Sequence, residues 1–189
     1  MAINKYEEIA QAAIKLFEQK GYHATSVQDI ADEVGLQKGS LYHYISSKEE
    51  LLMKIAQQSI SSFNRRLEKI LETDLSAKDR LILAIQNHIV FVAGNLAMTT
   101  VLLREAFSLE PSHHQVINNE TDRYLSLWTA IIDEGVKTGE FKPGNSRLTA
   151  LAILGSCNWL HRWYKSGGSL TPEEIGNYFA HIFLEGIQN

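Results

Sequence analysis

Apolar residues recur at spacings of three and four along most of this chain, the period of one face of an α-helix. From Asn4, a cap, Tyr6, Ile9, Ala10, Ala13, Ile14 and Phe17 form one such stripe, and Gly21 just past Lys20 is the expected stop. Ser26 with Asp29 three positions on has the form of a capping box, which opens a second helix that buries Val27, Ile30, Ala31 and Val34 and ends at Gly35. A third, short helix is predicted over about residues 38–45, with Leu41 and Tyr44 or Ile45 inward. Ser47 with Glu50 starts a long helix through Leu51, Leu52 and Ile55 towards Leu71, and Ser76 with Asp79 starts another that reaches about Asn95. An apolar segment, 98–107, precedes a break at Pro111, and a long helix over about 112–137 ends near Gly139. Asn145 or Ser146 begins a helix predicted to stop at Gly167 and Gly168, and Thr171, Pro172 and Glu174 cap the last one.

No sustained period-two alternation bounded by turn residues is present, nor any internal repeat, so the predicted class is all-α. Two short helices joined tightly through Gly35 make a helix-turn-helix. The expected organisation is an amino-terminal three-helix domain over residues 1–47, then a helical bundle over 48–189 for ligand binding and dimerisation, with about nine helices in total. The last two helices are apolar on more than one side, which predicts that the excess is buried in a second copy, with Leu151, Leu154, Phe179, Ile182 and Phe183 as the interface.

Composition changes this picture little. Of 189 residues, 44% are hydrophobic, ample for a core. The first residues hold no apolar run behind a basic stretch, and the longest apolar stretch, 148–163, is interrupted by Asn158, His161 and Arg162, so a cytoplasmic protein with no membrane partner is expected. The single cysteine, Cys157, excludes an internal disulfide and a thiolate zinc cluster, and its apolar neighbours predict an inert buried thiol.

Charge is the informative quantity. The net charge of -4 is unusual for a nucleic-acid binder, and up to Ser47 Lys5, Lys15, Lys20 and Lys38 are outnumbered by six carboxylates. Binding to DNA must therefore come from where cations are placed. Lys38 and Tyr42 stand four apart and share a helix face, Ser40 and His43 flank it, and Gly39 removes a side chain where a backbone would approach a base edge or phosphate. Thr25 and Ser26 lie at a helix opening, where amides attract phosphate, and Lys48 starts the fourth helix. The plainer reading of Tyr42, Tyr44 and Ile45 is a core stripe beneath solvated lysines.

The segment Thr25-Ser26-Val27-Gln28-Asp29-Ile30-Ala31, followed by Gly35-Leu36-Gln37-Lys38-Gly39-Ser40-Leu41-Tyr42-His43-Tyr44 and Ser47-Lys48-Glu49-Glu50-Leu51, resembles the signature of the tetracycline-repressor (TetR) family. The resemblance covers about a quarter of the chain. It implies a dimeric transcriptional regulator, ordinarily a repressor, that binds palindromic double-stranded operator DNA and is released by a small-molecule inducer. It also implies that Lys38, Gly39, Tyr42 and His43 touch the major groove or its walls, that Thr25, Ser26, Tyr42 and Lys48 hold phosphates, and that Gln28 serves in either role. Gln37 departs from the serine or threonine usual before Lys38, which weakens the cap of the third helix or offers a side chain that reads DNA instead, and Tyr44 stands where phenylalanine is common.

The tail Asn158-Trp159-Leu160-His161-Arg162-Trp163-Tyr164-Lys165, with Gly167-Gly168 and Thr171-Pro172-Glu173-Glu174-Ile175, resembles the branch of that family that senses acyl-coenzyme A thioesters. Trp159, Arg162 and Trp163 share one helix face, where a guanidinium grips phosphate and an indole stacks on adenine; a tryptophan pair serves equally well as core or dimer interface. Phe91, Met98, Leu102, Phe107, Tyr124 and Trp128 are candidates to line an apolar effector cavity, or are plain core. No cofactor and no metal is expected.

Two rival readings are a helical ligand-binding protein that has lost DNA recognition and a helical-bundle enzyme. The first is opposed by the intact stretch 38–48. The second rests on one Glu-x-x-His spacing, Glu110 to His113, across Pro111, where a di-iron bundle needs two. No phosphate loop, nucleophile elbow or paired carboxylates are found.

Overall fold

The structure is a computed structural model and describes residues 4–105, 109 and 111–187. All regular structure among these residues is helical: α1 Lys5–Lys20, α2 Val27–Glu33, α3 Lys38–Leu41, α4 Lys48–Leu71, α5 Ala77–Gly94, α6 Leu96–Glu105, α7 Pro111–Thr138, α8 Ser146–Asn158, α9 Leu160–Trp163 and α10 Pro172–Ile187. The contacts divide into two compact units, residues 1–59 with 97–119 and residues 60–96 with 120–189. The division falls inside α4, an unbroken helix that belongs to both.

The helix starts follow from side-chain caps. Asn4 accepts the Tyr6 amide at 3.2 Å, and Ser26 and Asp29 close a full capping box on α2. Ser76 caps α5, Asn145 caps α8, and Thr171 and Glu174 bond reciprocally at α10. At α4 the box is offset: the Ser47 hydroxyl accepts the Glu50 amide at 2.9 Å, while the Glu50 carboxylate accepts the amide of Ser46, not Ser47, at 3.0 Å. Gly21 and Gly35 end α1 and α2 with φ of 84° and 66°, values an L side chain adopts only with strain.

Two elements differ from expectation. Regular α3 stops at Leu41, and the chain continues to Ile45 through tighter bonds such as His43 N to Ser40 O and Tyr44 N to Leu41 O. Gln37 supplies no side-chain cap, so the first turn of this short helix is held only by the backbone. The helix expected to run to Gly167 breaks at Trp159 and ends at Trp163. The His161 ring nitrogen Nδ1 lies 2.6 Å from the Asn158 carbonyl, and the Arg162 amide bonds Trp159 O instead, so a side chain has entered the i→i−4 ladder.

In the amino-terminal unit, Ile9, Phe17, Ile30, Leu41, Leu51 and Leu52 are fully buried, and in the other Leu81, Ile85, Ile89, Trp128, Ile131 and Phe141 are. Each such side chain contributes about 1.5–3 kcal/mol through removal from water. In the second unit α10 packs along α5, and Gly176 is what allows the approach, because a Cβ there would stand 2.9 Å from Gln86 Cα. Glu140 receives the amides of Ala77 and Lys78 at the α5 start, which holds its carboxyl below the usual range.

Gly176→Ala is expected to destabilise the protein by about 1–3 kcal/mol through overpacking on backbone that cannot retreat, lowering Tm by several degrees. Thermal unfolding followed by circular dichroism measures this, and an unchanged Tm would show that the α5–α10 approach is looser than described.

Candidate functional site

The turn after α2 sets the surface on which the DNA hypothesis depends. Gly35 reverses the chain, Leu36 N bonds Ala31 O at 2.9 Å, and Leu41 and Ile45 are driven into the core. Lys38, Gly39, Tyr42 and His43 are thereby left exposed and Ser40 half-buried; Tyr42 keeps 48% and Tyr44 42% of its surface. Tyr42 and Tyr44 are therefore not core. A Cβ at Gly39 would meet no protein atom within 4 Å, so nothing inside the fold demands glycine there.

Of the first five lysines, Lys5, Lys15 and Lys20 pair with Glu8, Glu33 and Asp29. Lys48 donates to the carbonyls of Tyr22 (2.7 Å) and Thr25 (2.6 Å), with its ammonium 4.3 Å from the Tyr22 ring centroid. Burial lowers its pKa, and two of its three N–H groups fasten α4 to the loop before α2. Lys38 has no ion-pair partner among the described residues.

Thr25 requires correction. Its side chain is completely buried, its hydroxyl donates to Gly21 O (2.9 Å) and contacts Leu16 O (3.3 Å), and its amide bonds Tyr22 O, so it cannot hold a phosphate. Ser26 and Gln28 are exposed but engaged, Ser26 with Asp29 and Gln28 with Asp32 at 2.7 Å. Hydrogen bonds from the Ser26 side chain and backbone, and from Lys20, bring the Asp29 carboxyl down to about 2, which fixes a negative charge beside the α2 start.

Of the candidates to line an apolar effector cavity, Phe91, Tyr124 and Trp128 lie in the second unit. The Trp128 side chain is fully buried, and Tyr124 stands beside it with ring centroids 6.1 Å apart. Between α5, α7 and α8 a polar triad has formed that the sequence did not reveal. His88 Nε2 lies 3.0 Å from Asn158 Oδ1 and Nδ1 lies 2.8 Å from the Tyr124 hydroxyl. With the Asn158 oxygen as its partner Nε2 carries a proton, and because burial disfavours the imidazolium Nδ1 is bare and accepts from the Tyr124 hydroxyl. Desolvation depresses the His88 pKa to about 4 and raises that of Tyr124. Phe63, Tyr124 and Trp128 surround the ring.

Phe91 lines a cleft of about 450 Å³ with Ser62, Arg65, Arg66, Lys69, Ile70, Thr73, Leu83 and Asn87. The Arg66 guanidinium lies 4.6 Å from the Phe91 ring centroid. A much smaller void of about 10 Å³ is bounded by Phe63, Arg66, Leu67, Ile70, Ala84, Asn87, His88 and Tyr124, three of which also line the cleft. Met98 lines a groove in the amino-terminal unit with Tyr6, Ala10, Ile14 and Ile55. Leu102 is half-buried, and Phe107, Glu110 and the His113 side chain lie outside the described residues. Trp159 and Trp163 retain 59% and 44% of their surface, and the Arg162 guanidinium is 5.8 Å from the Trp159 ring centroid. None of these three lines either cavity. The missed cleft residues Arg65, Arg66 and Lys69 were detectable as a cationic stripe at three-and-four spacing on α4, with Ser62 one turn before them.

Residues 9–55 match the family profile described as bacterial regulatory proteins, tetR family, and residues 74–187 match the Tetracyclin repressor-like, C-terminal domain. A fatty acid metabolism regulator protein of Bacillus subtilis is 30% identical over 189 residues, 98% of this chain and 96% of the relative. The chain belongs to the tetR family. Similar solved structures include FadR from Bacillus subtilis in complex with stearoyl-CoA, with TM-score 0.78 and 28% identity over 97% of this chain and all of that one. AibR in complex with isovaleryl coenzyme A and operator DNA aligns with TM-score 0.87 and 25% identity over 95% of this chain and 97% of that one.

This tetR-family chain carries Lys38 to Lys48 inside the first matched stretch and the His88 triad inside the second, while Ser62 to Thr73 fall between the two. It presents an apolar stripe on its last long helices: Leu148, Leu151 and Trp159 on α8 and its end, Tyr178 and Ile182 on α10, all exposed. Phe179 and Phe183 are half-buried beside it. Leu154 is corrected: only 9% exposed, it packs within its own protomer, because it lies on the face of α8 that also buries Ala150, Ile153 and Cys157. Burial pushes the Cys157 thiol up to about 12.

The depressed His88 pKa gives a signed prediction. Between the ordinary value of 6.5 and about 4, the unfolded chain holds a proton that the folded one lacks, so stability falls as pH drops through this window, by up to roughly 1.4 kcal/mol per pH unit. Asp29 and Glu50, both near 2, lose their contribution only at lower pH. His88→Gln should remove that slope in Tm measured between pH 6.5 and 4.5; parallel curves for both proteins would contradict the neutral-histidine assignment.

Proposed function

We propose that this regulator is a homodimeric repressor acting in the cytoplasm, with residues 1–47 docking on palindromic operator DNA and residues 48–189 serving dimerisation and the binding of an acyl-CoA thioester that releases the DNA. The outward surface of Lys38, Gly39, Tyr42 and His43 above buried Leu41 and Ile45 is the observation that carries it. Lys38 is an uncommitted cation, Tyr42 offers a hydroxyl and a ring edge, and Gly39 lets the backbone come close to a base pair. Lys48 keeps one N–H for a phosphate while bracing the head, and the Ser26 hydroxyl reaches the backbone only by yielding its bond to Asp29.

Dimerisation through the exposed stripe of α8 and α10 accounts for Leu148, Leu151, Tyr178 and Ile182, which would otherwise remain in water. Trp159 continues that stripe by helical spacing, and this favours the dimer face over an effector pocket for Trp159, with Arg162 and Trp163 at its edge. In a symmetric dimer two α3 surfaces enter successive major grooves roughly 34–36 Å apart, and a small tilt of α4 spoils that spacing. The acyl-CoA part of the reading is supported by relatives solved with stearoyl-CoA and isovaleryl coenzyme A.

Fluorescence anisotropy with the chain's own upstream DNA, or with an operator selected from random DNA, tests both halves. Lys38→Ala and Tyr42→Ala should each weaken binding by about 5- to 150-fold at fixed salt with unchanged Tm, and Lys38→Ala should flatten the salt dependence by about one unit. Undiminished affinity would sink the α3 assignment. A panel of acyl-CoAs should displace the DNA from the wild-type protein; indifference to every chain length would dispose of the effector.

A further inference from the structure

The α4 side of the cleft between α4 and α5 falls between the two matched family stretches, and its α5 side lies inside the second. On α4 the positions 62, 65, 66, 69 and 70 form one face, continued by Thr73 just past the helix, and on α5 positions 83, 87 and 91 form another, so two helices each present a single stripe to the same space. Three of these side chains are cationic and none of the lining residues is acidic, in a chain whose net charge is -4. None of the three cations has an ion-pair partner among the described residues: Arg65 donates to Ser62 at 3.1 Å, and Arg66 lies over Phe91. Two other arginines of the same unit are paired, Arg80 with Glu134 and Arg123 with Glu68. The dipole at the α4 end would explain Lys69 alone, but not Arg65 and Arg66 a turn earlier.

We propose that this cleft holds the phosphate groups of the effector, with Arg65, Arg66 and Lys69 as the phosphate-binding residues, Ser62 and Asn87 adding hydrogen bonds, and Phe91 offering an apolar floor. The assignment rests on the acyl-CoA reading and deepens it, moving the nucleotide end from Arg162 to α4. A volume of about 450 Å³ suits a diphosphate with part of its nucleoside. Guanidinium groups grip phosphate through paired N–H donors, and the ammonium of Lys69 adds a mobile point charge. Behind the cleft, the void at Phe63, His88 and Tyr124 is far too small for an acyl chain, so a chain that follows its phosphates inward must displace those rings.

Isothermal titration calorimetry on the full-length protein with decanoyl-CoA, CoA alone and decanoic acid, alongside operator binding, tests this. The wild type should bind decanoyl-CoA, bind CoA alone more weakly, and bind decanoic acid at least about tenfold more weakly than the thioester. The double variant Arg66→Met, Lys69→Met should lose roughly 30-fold or more in decanoyl-CoA affinity while Tm and operator affinity stay as in the wild type. Because Arg66 also covers Phe91, Lys69→Glu is the second variant and should lose affinity without disturbing that packing. Wild-type affinity for decanoyl-CoA in both variants, or decanoic acid bound as tightly as the thioester, overturns the cleft assignment and leaves the acyl-CoA reading standing. A wild type that binds neither decanoyl-CoA nor CoA overturns both.

Discussion

The Lys48 ammonium is the joint on which the reading head depends. It sits at the first turn of α4, donates to the carbonyls of Tyr22 and Thr25, and lies over the Tyr22 ring. Those carbonyls belong to the loop that positions α2, and Thr25 is in turn tied to Leu16 and Gly21 at the end of α1. One cation therefore joins α1, the loop before α2 and α4, and it accepts partial desolvation to do so. The 24 residues of α4 extend about 36 Å. Arg65, Arg66 and Lys69 lie on its later turns.

Local sequence rules determined where helices start, because a cap involves only residues three or four apart. Asn4, Ser26, Ser76, Asn145 and Thr171 were all readable for that reason, as were Gly21 and Gly35. The exposed side of α3 was readable too, since Leu41 and Ile45 define the buried side. What escaped depends on partners distant in sequence. Thr25 looked like a phosphate ligand until the carbonyls of Leu16 and Gly21 took its hydroxyl. Periodicity says that a face is apolar, not what covers it, which is why Leu154 and Leu151 were grouped although the first is buried and the second is not.

Charge shows the same separation between local and global quantities. A net charge of -4 argues against contact with DNA only if the charges are spread evenly. Here Lys5, Lys15 and Lys20 are neutralised in place by Glu8, Glu33 and Asp29, which leaves Lys38 on the face that matters. The cluster on α4 is the second local exception, and it lies in the unit without the helix-turn-helix, so bulk charge is uninformative about either site.

The His88 triad gives the second unit its internal coupling. A buried imidazole left without partners would be costly, and both of its ring nitrogens are satisfied, by Tyr124 on α7 and Asn158 on α8. Asn158 serves two rings with different atoms: its side-chain oxygen meets His88, while its main-chain carbonyl is met by the His161 ring, and the helix breaks at the next residue. Trp159 at the break is exposed, as are Leu148 and Leu151 on the same helix. Any ligand that moves the Tyr124 ring must therefore either break the bond to His88 or carry His88 and Asn158 with it, and the second course reaches the end of α8. A polar triad in an apolar core thus does what packing alone would not, since it converts displacement at one helix into a choice between discrete hydrogen-bonded arrangements.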